Sequence, residues 1–454
     1  MFFGTASIYL YNPRAFNIPS QSDPMMKIRL LFPLLLVLCA VAPALAQMQT
    51  SSATEQPQLF APSASAAAEP VSLSIPATLS AKAIDARIEE AKRLLKSRAA
   101  AGATAPSDYV TLAALDAADG RIQLLSLEKE LFLKRGSLIE TTTAGGDAVR
   151  VMVVRANGVN TAVQINDTKS GRALVPLVVQ YPILRGGEAR EMAYYTSAHP
   201  ALLSSEVVAE GSNYVRTMLD AAAARLRAGG VTIEPEIVDI AEHLCIVEHT
   251  DHKRFMSEDR GALFREILSL YALNEPDTYR YSVSVAGAGG MVQMIPSTYT
   301  MVRNLHPNIT LKADFVNGMT DHANALEAML LYMQGTWSDL VRNPEVVEAL
   351  SSGIATQPEL VAAGYNSNPA RLPSYLKRGG ADWRTLIPAE TQMYLRIYSS
   401  LHQLQFSDRP APARDRQTAS VTPLLATLLS VWKMGATGSV PFINGLLPSL
   451  AIHF

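Results

Sequence analysis

The sequence predicts an α+β chain whose larger C-terminal part is mostly helical and whose smaller N-terminal part mixes strands with helices. Three observations carry this. Residues 147–164 and 172–184 hold the β-rich runs AVRVMVVR and LVPLVVQY, each bounded by turn-forming residues. Residues 212–404 repeat apolar positions at helical spacing in several runs. The 454 residues are 48% hydrophobic and 18% charged, enough to pack the cores of two domains.

The elements follow in chain order. Residues 1–24 carry no targeting logic, and the start is assigned to Met25 or Met26 rather than Met1. Residues 25–46 read as a signal peptide: the charged MMKIR, an apolar stretch from Leu30 to Ala42, and an A-x-A cleavage site at Ala44 and Ala46. Export to the periplasm or cell envelope is the expectation, with Gln47 as the mature N-terminus. Cys39 follows Leu38 inside the apolar run, which argues against lipidation there. Cys245 is then the lone cysteine of the mature chain, so no intramolecular disulfide can form. Its neighbours Leu244, Ile246 and Val247 mark it as a small buried hydrophobe.

Residues 47–80, rich in Ala, Ser, Pro, Gln and Thr, read as a disordered linker. Residues 81–205 read as a mixed α/β module of open role. Ile84, Ile88, Ala91 and Leu95 fall on one helical face, residues 121–135 suggest a second amphipathic helix, and residues 192–197 suggest another strand after the two β-rich runs. Residues 206–408 form the helical domain, with helices expected over 212–228, 235–249, 262–273, 323–334 and 388–404. Beyond lie the linker RPAPAR at 409–414 and an apolar tail broken by Gly and Pro, in which no run reaches the about 18 residues that span a bilayer. Residues 421–432 are expected to pack back on the body, with weak association with a membrane surface as the alternative. A net charge of −2 and the lack of a dense Lys/Arg run argue against nucleic-acid binding.

The segment SVAGAGGMVQMIPST at 284–298 carries the strongest chemical signal. The run from Gly287 to Gly290 lets backbone approach a ligand, and Gln293 among Met291, Met294 and Ile295 offers an amide to sugar hydroxyl and acetamido groups. Downstream lies GYNSNP at 364–369. The first segment resembles the SxxGAxGLMQxxPxT signature of the soluble lytic transglycosylase (SLT) family, lysozyme-like enzymes that cut bacterial peptidoglycan, and the second resembles that family's AYNxGP motif. DHANALEAMLLY at 321–332 is similar to the family's helix bearing an Asn and a Tyr, and ETQMY at 390–394 to its closing ETxxY segment. The resemblance covers roughly residues 235–402.

The resemblance implies a lysozyme-like fold for the helical domain, peptidoglycan glycan strands as partner and substrate, and no cofactor. It also implies non-hydrolytic cleavage of the MurNAc-GlcNAc β-1,4 bond to 1,6-anhydro-MurNAc ends, with one Glu acting as acid and then as base. Such an acid must stay protonated near neutral pH, which apolar surroundings achieve by desolvating the carboxylate. Glu248, closing the apolar run IAEHLCIVEH at 240–249, meets that requirement. It lies 36 positions before Ser284, a much longer spacing than the family's, which implies an inserted segment. Glu275, nine positions before Ser284, is the rival; Pro276 biases it away from helical geometry, and the turn NEPD suggests solvation.

Supporting roles come from the same resemblance. Ser284 would hydrogen-bond the acid, Met291 and Gln293 would line glycan subsites, and Tyr365 would donate to the acid or to an acetamido group. Asn366 would hold its loop, and Tyr394 is added from the ETxxY match. No second carboxylate stands out, which suits a lytic mechanism. The alternatives are a hydrolytic lysozyme-type muramidase, with Asp251 or Asp277 as second carboxylate, and a non-catalytic peptidoglycan-binding protein. His243, Cys245, His249 and His252 invite a zinc reading, but they match neither HExxH nor a CxxC pair, so no metal is assigned. Nothing in the sequence identifies a protein partner.

Overall fold

A computed structural model describes residues 80–100, 107–185 and 188–405. The start assignment, the signal peptide, most of the linker and the apolar tail lie outside these residues. The chain begins with helix α1 (Ala81–Ala100) and then lays down seven strands: β1 (Tyr109–Asp116), β2 (Ile122–Glu128), β3 (Leu138–Thr142), β4 (Ala148–Arg155), β5 (Ala162–Asp167), β6 (Ala173–Arg185) and β7 (Glu188–Tyr195). A short helix α2 (Lys129–Phe132) follows β2. The strands form one antiparallel sheet in the order β2-β1-β6-β5-β4-β3, with β7 on β6. The Ala144 N–H donates to the Leu124 carbonyl at 2.7 Å, drawing the end of β3 back to β2 and nearly closing the sheet into a barrel.

Side-chain alternation in the strands builds two apolar layers. In β1, Val110, Leu112 and Ala114 face the interior, while Ala113 and Leu115 pack outward with Ile84, Ile88, Ala91 and Leu95 of α1. The partner strand β6 changes parity along its length. Val175 and Leu177 belong to the α1 layer, whereas Val179, Tyr181 and Ile183 point inward. The cause is a bulge: pairing slips from Ala113↔Val178 to Ala114↔Pro176, beside a proline that has no N–H to donate.

Helices follow the sheet: α3 (Ser205–Ala228), α4 (Pro235–Val247), α5 (His252–Ser257), α6 (Arg260–Asn274), α7 (Pro296–Leu305), α8 (Phe315–Met319), α9 (His322–Leu340), α10 (Pro344–Ser351), α11 (Gln357–Asn366), α12 (Leu372–Gly379) and α13 (Ala389–Gln405). Helices α3 and α6 cross so closely that a Cβ on Gly211 would stand 1.8 Å from the Leu268 carbonyl oxygen, which reserves that position for glycine.

Sheet and helices join through polar seams as well as apolar packing. Asn274, the last residue of α6, accepts the Thr196 N–H at 2.8 Å and donates to the Thr196 carbonyl at 2.9 Å. Arg155 of β4 pairs with Glu266 of α6 at 2.8 Å, and Arg254 of α5 grips the same carboxylate at 2.7 Å. Interior residues of the strands and of α3, α4, α6 and α9 share one buried core.

The expected fold is therefore corrected. A mostly helical lysozyme-like domain preceded by a smaller mixed module is not what forms: a nearly closed antiparallel sheet occupies the N-terminal part, and the helices behind it are not arranged in a clearly lysozyme-like way. The motifs on which the expectation rested are local, whereas the arrangement of helices is set by packing between distant segments. A second correction concerns residues 121–135. Most of that run is β2, whose alternate residues are buried against neighbouring strands, and only Lys129–Phe132 is helical. Pairing with β1 along the whole strand overrides the helix preference of its Leu and Glu residues.

Candidate active site

Helix α4 starts on Pro235, whose missing N–H costs nothing at the first helical position. Its residues from Ile237 to Val247 are buried except Asp239, and Glu248 caps its C-terminus. The Glu248 side chain is only partly accessible. Desolvation pushes its carboxyl up to about 8; the Tyr394 hydrogen bond opposes that rise and the charge of Glu390 adds to it. The hydroxyl of Tyr394, a buried residue of α13, donates to Glu248 Oε1 at 2.6 Å.

The glycine-rich loop 284–295 is held against this corner by its main chain. His249, next to the acid, bonds the Met291 carbonyl through Nε2 at 2.9 Å. Burial pushes its imidazole down to about 3, so the ring is neutral and Nε2 carries the donated proton. The ring lies flat on Tyr279, with centroids 3.4 Å apart and planes within 1°. The Tyr365 hydroxyl of α11 donates to the next carbonyl, that of Val292, at 2.6 Å. Two successive peptide groups are thus fixed, one from the turn that follows α4 and one from α11. Gly290 permits the loop's path: φ is +68°, and a Cβ there would stand 2.1 Å from the Met319 carbonyl oxygen.

The remaining expected residues fall as follows. Ser284 braces the loop, its Oγ accepting the Ala288 N–H at 3.0 Å while its own N–H meets the Ala288 carbonyl at 2.8 Å. Met291 is fully buried. Gln293 is half-buried with φ +45°, and its amide donates to the Gly290 carbonyl at 2.8 Å. Asn366 accepts the Thr391 hydroxyl at 2.9 Å, tying the end of α11 to the first turn of α13. Glu275 is exposed on the turn after α6, in a left-handed backbone conformation with φ +41°. The segment between Glu248 and Ser284 forms α5, α6 and this turn, then returns so that the loop meets the end of α4.

Sequence reasoning did not assign His249, Tyr279 or Glu390 a place in this site. His249 drew notice only in the zinc reading, and Glu390 only as a motif letter. Among the described residues, no group of three or more His, Cys, Asp or Glu side chains is placed to hold a metal ion. The corner thus contains one protonated carboxyl on a partly exposed residue, one phenol bonded to it, and a loop of small residues alongside. Such a group can give a proton to a leaving oxygen and recover one afterwards. No family model matches the chain, nor does any curated protein or solved structure.

Proposed function

We propose that this chain is a peptidoglycan lytic transglycosylase related to the soluble lytic transglycosylase family, exported to the periplasm or cell envelope. The observation that carries the reading is Glu248: a residue only partly buried whose carboxyl has a raised pKa of about 8, beside the glycine-rich loop and in contact with the tyrosine of the closing motif. Four sequence motifs meet or brace one another there. In the proposed reaction Glu248 donates its proton to the glycosidic oxygen between MurNAc and GlcNAc, breaking the C1–O bond. The resulting carboxylate takes the proton of the MurNAc 6-hydroxyl as that oxygen bonds C1. The products are a 1,6-anhydro end and a free 4-hydroxyl, with no water consumed and Glu248 protonated again. The raised pKa supports this cycle, because an acid ionised at neutral pH could not begin it.

The test is mass spectrometry of muropeptides released from purified peptidoglycan by wild type, Glu248→Gln and Glu275→Gln. Anhydro products lost only in Glu248→Gln are the expected result. One observation favours a second reading, hydrolysis: Glu390 is a carboxylate near the acid, and paired carboxylates are the equipment of hydrolytic glycosidases. Hydrated reducing ends from wild type would select it. Retained sedimentation on the wall without any release would point to a binding protein.

A further inference from the structure

The acid and a residue that holds the loop are neighbours in the chain. The turn carrying both is fixed by main-chain bonds: the N–H groups of Glu248, His249 and Thr250 donate to the carbonyls of Leu244, Ile246 and Val247 at 3.0, 3.2 and 3.0 Å. The Thr250 hydroxyl adds a bond to the Ile246 carbonyl at 2.9 Å. The His249 ring is fixed as well. It lies on Tyr279, whose ring stands at 72° to that of Tyr271 with centroids 5.4 Å apart. Tyr279 keeps a left-handed backbone with φ +56°, an uncommon state for a bulky residue. The preceding Thr278 is tied down twice: its hydroxyl donates to the Leu270 carbonyl at 3.0 Å, and its carbonyl accepts from His322 Nε2 at 2.8 Å. The Nε2–H of His249 is thereby aimed at the Met291 carbonyl. Its other nitrogen, Nδ1, is buried and meets no hydrogen-bond partner among the described residues. A phenyl ring would fill this space without leaving a buried acceptor unpaired, so packing alone does not account for an imidazole here. What the imidazole adds is a donor that reaches the loop.

We propose that His249 is a positioning residue of this site: its Nε2–H bond to Met291 sets the spacing between the loop at 284–295 and Glu248, so that a glycan lying along the loop presents its glycosidic oxygen to the acid. This role rests on the lytic reading. Because Glu248 and His249 are consecutive, a shift of the loop relative to the acid strains this bond, and a misplacement of about 1 Å is enough to slow a reaction about 100-fold. Tyr365 holds the adjoining Val292 carbonyl from α11 at 2.6 Å. Without the His249 bond the loop would stay attached at that point and lose its fixed angle to the acid.

The experiment compares the full wild-type chain with His249→Phe, which keeps a ring against Tyr279 but has no donor, and with His249→Gln, whose amide can reach Met291 but cannot stack in the same way. Release of anhydro-muropeptides from purified peptidoglycan is followed across pH, alongside thermal melts of each chain. The expected result is a His249→Phe that melts near wild type and releases products about 10–100 times more slowly. Its alkaline limb should stay in place, because the acid is untouched, and His249→Gln should recover most of the rate. A folded His249→Phe as fast as wild type would overturn the proposal, as would a His249→Gln no faster than His249→Phe. Nitrogen-15 NMR of histidine-labelled wild type covers the case in which neither variant folds. The His249 signals, assigned through the backbone to Glu248 and Thr250, should show a protonated Nε2 and a bare Nδ1; a proton on Nδ1 instead would remove the bond on which the role depends. Failure of the two ideas is distinguishable. Hydrated ends from wild type sink the lytic reading, while the contrast between His249→Phe and His249→Gln, read in those ends, still decides the role of His249. Anhydro products at equal rates from all three chains sink only that role.

Discussion

The Tyr394 hydroxyl stands 2.6 Å from Glu248 Oε1, so two residues from α13 and from the end of α4 share one short hydrogen bond beside the glycine-rich loop. That contact makes the carboxyl a directed group, with one oxygen engaged.

Glu248→Gln should lower anhydro-muropeptide release by on the order of 10²–10⁴-fold, the range for loss of a general acid. Its effect on stability should depend on pH. The folded carboxyl holds its proton up to about 8, against an unfolded value of 4.5. Over that window the native state binds more protons than the unfolded one, so wild-type stability falls as pH rises, by up to about 5 kcal/mol at about 1.4 kcal/mol per pKa unit. Chemical denaturation at pH 4 and pH 8 checks this: Glu248→Gln should gain on wild type at the higher pH.

Tyr394→Phe removes a bond that favours the ionised acid, so the Glu248 carboxyl should rise further. The alkaline limb of the activity profile should move up, while the lost hydrogen bond costs about 1 kcal/mol of stability. A limb that moves down would contradict this account of the contact.

Gly290→Ala should be severe and Gly287→Ala mild. Both positions have positive φ, but a Cβ at 290 meets the Met319 carbonyl oxygen at 2.1 Å, whereas at 287 it meets open space. Thermal melts should show a loss of about 1 kcal/mol for Gly287→Ala and several times that for Gly290→Ala.

Asn274→Ala strips partners from both the N–H and the carbonyl of Thr196 in a buried seam. A loss of roughly 2–4 kcal/mol is expected in urea denaturation. Glu275→Gln, one residue further on but exposed, should change stability by less than about 0.5 kcal/mol and leave the products unaltered.

Much of this was legible in the chain. Helices α4, α6, α9 and α13 announce themselves by apolar repeats, and β4 and β6 by β-branched runs between turn residues. Strand β2 was not, because IQLLSLE is made of good helix formers and only its pairing with β1 reveals period two. The nearly closed sheet is a property of contacts across the whole region, to which local periodicity is blind. The same distinction holds at the site. Glu248 stands out because it closes an apolar helix. Glu390 does not, because its relation to Glu248 exists only once α13 has docked.

The seam between Asn274 and Thr196 has a consequence for how this chain can be cut and recombined. A boundary drawn between the strands and the helices passes through a side chain that completes the hydrogen bonding of both, and through Arg155–Glu266 nearby. The helical half is therefore not a cassette to be transplanted onto another scaffold. Excising either part would leave buried hydrogen-bonding groups of the other without partners.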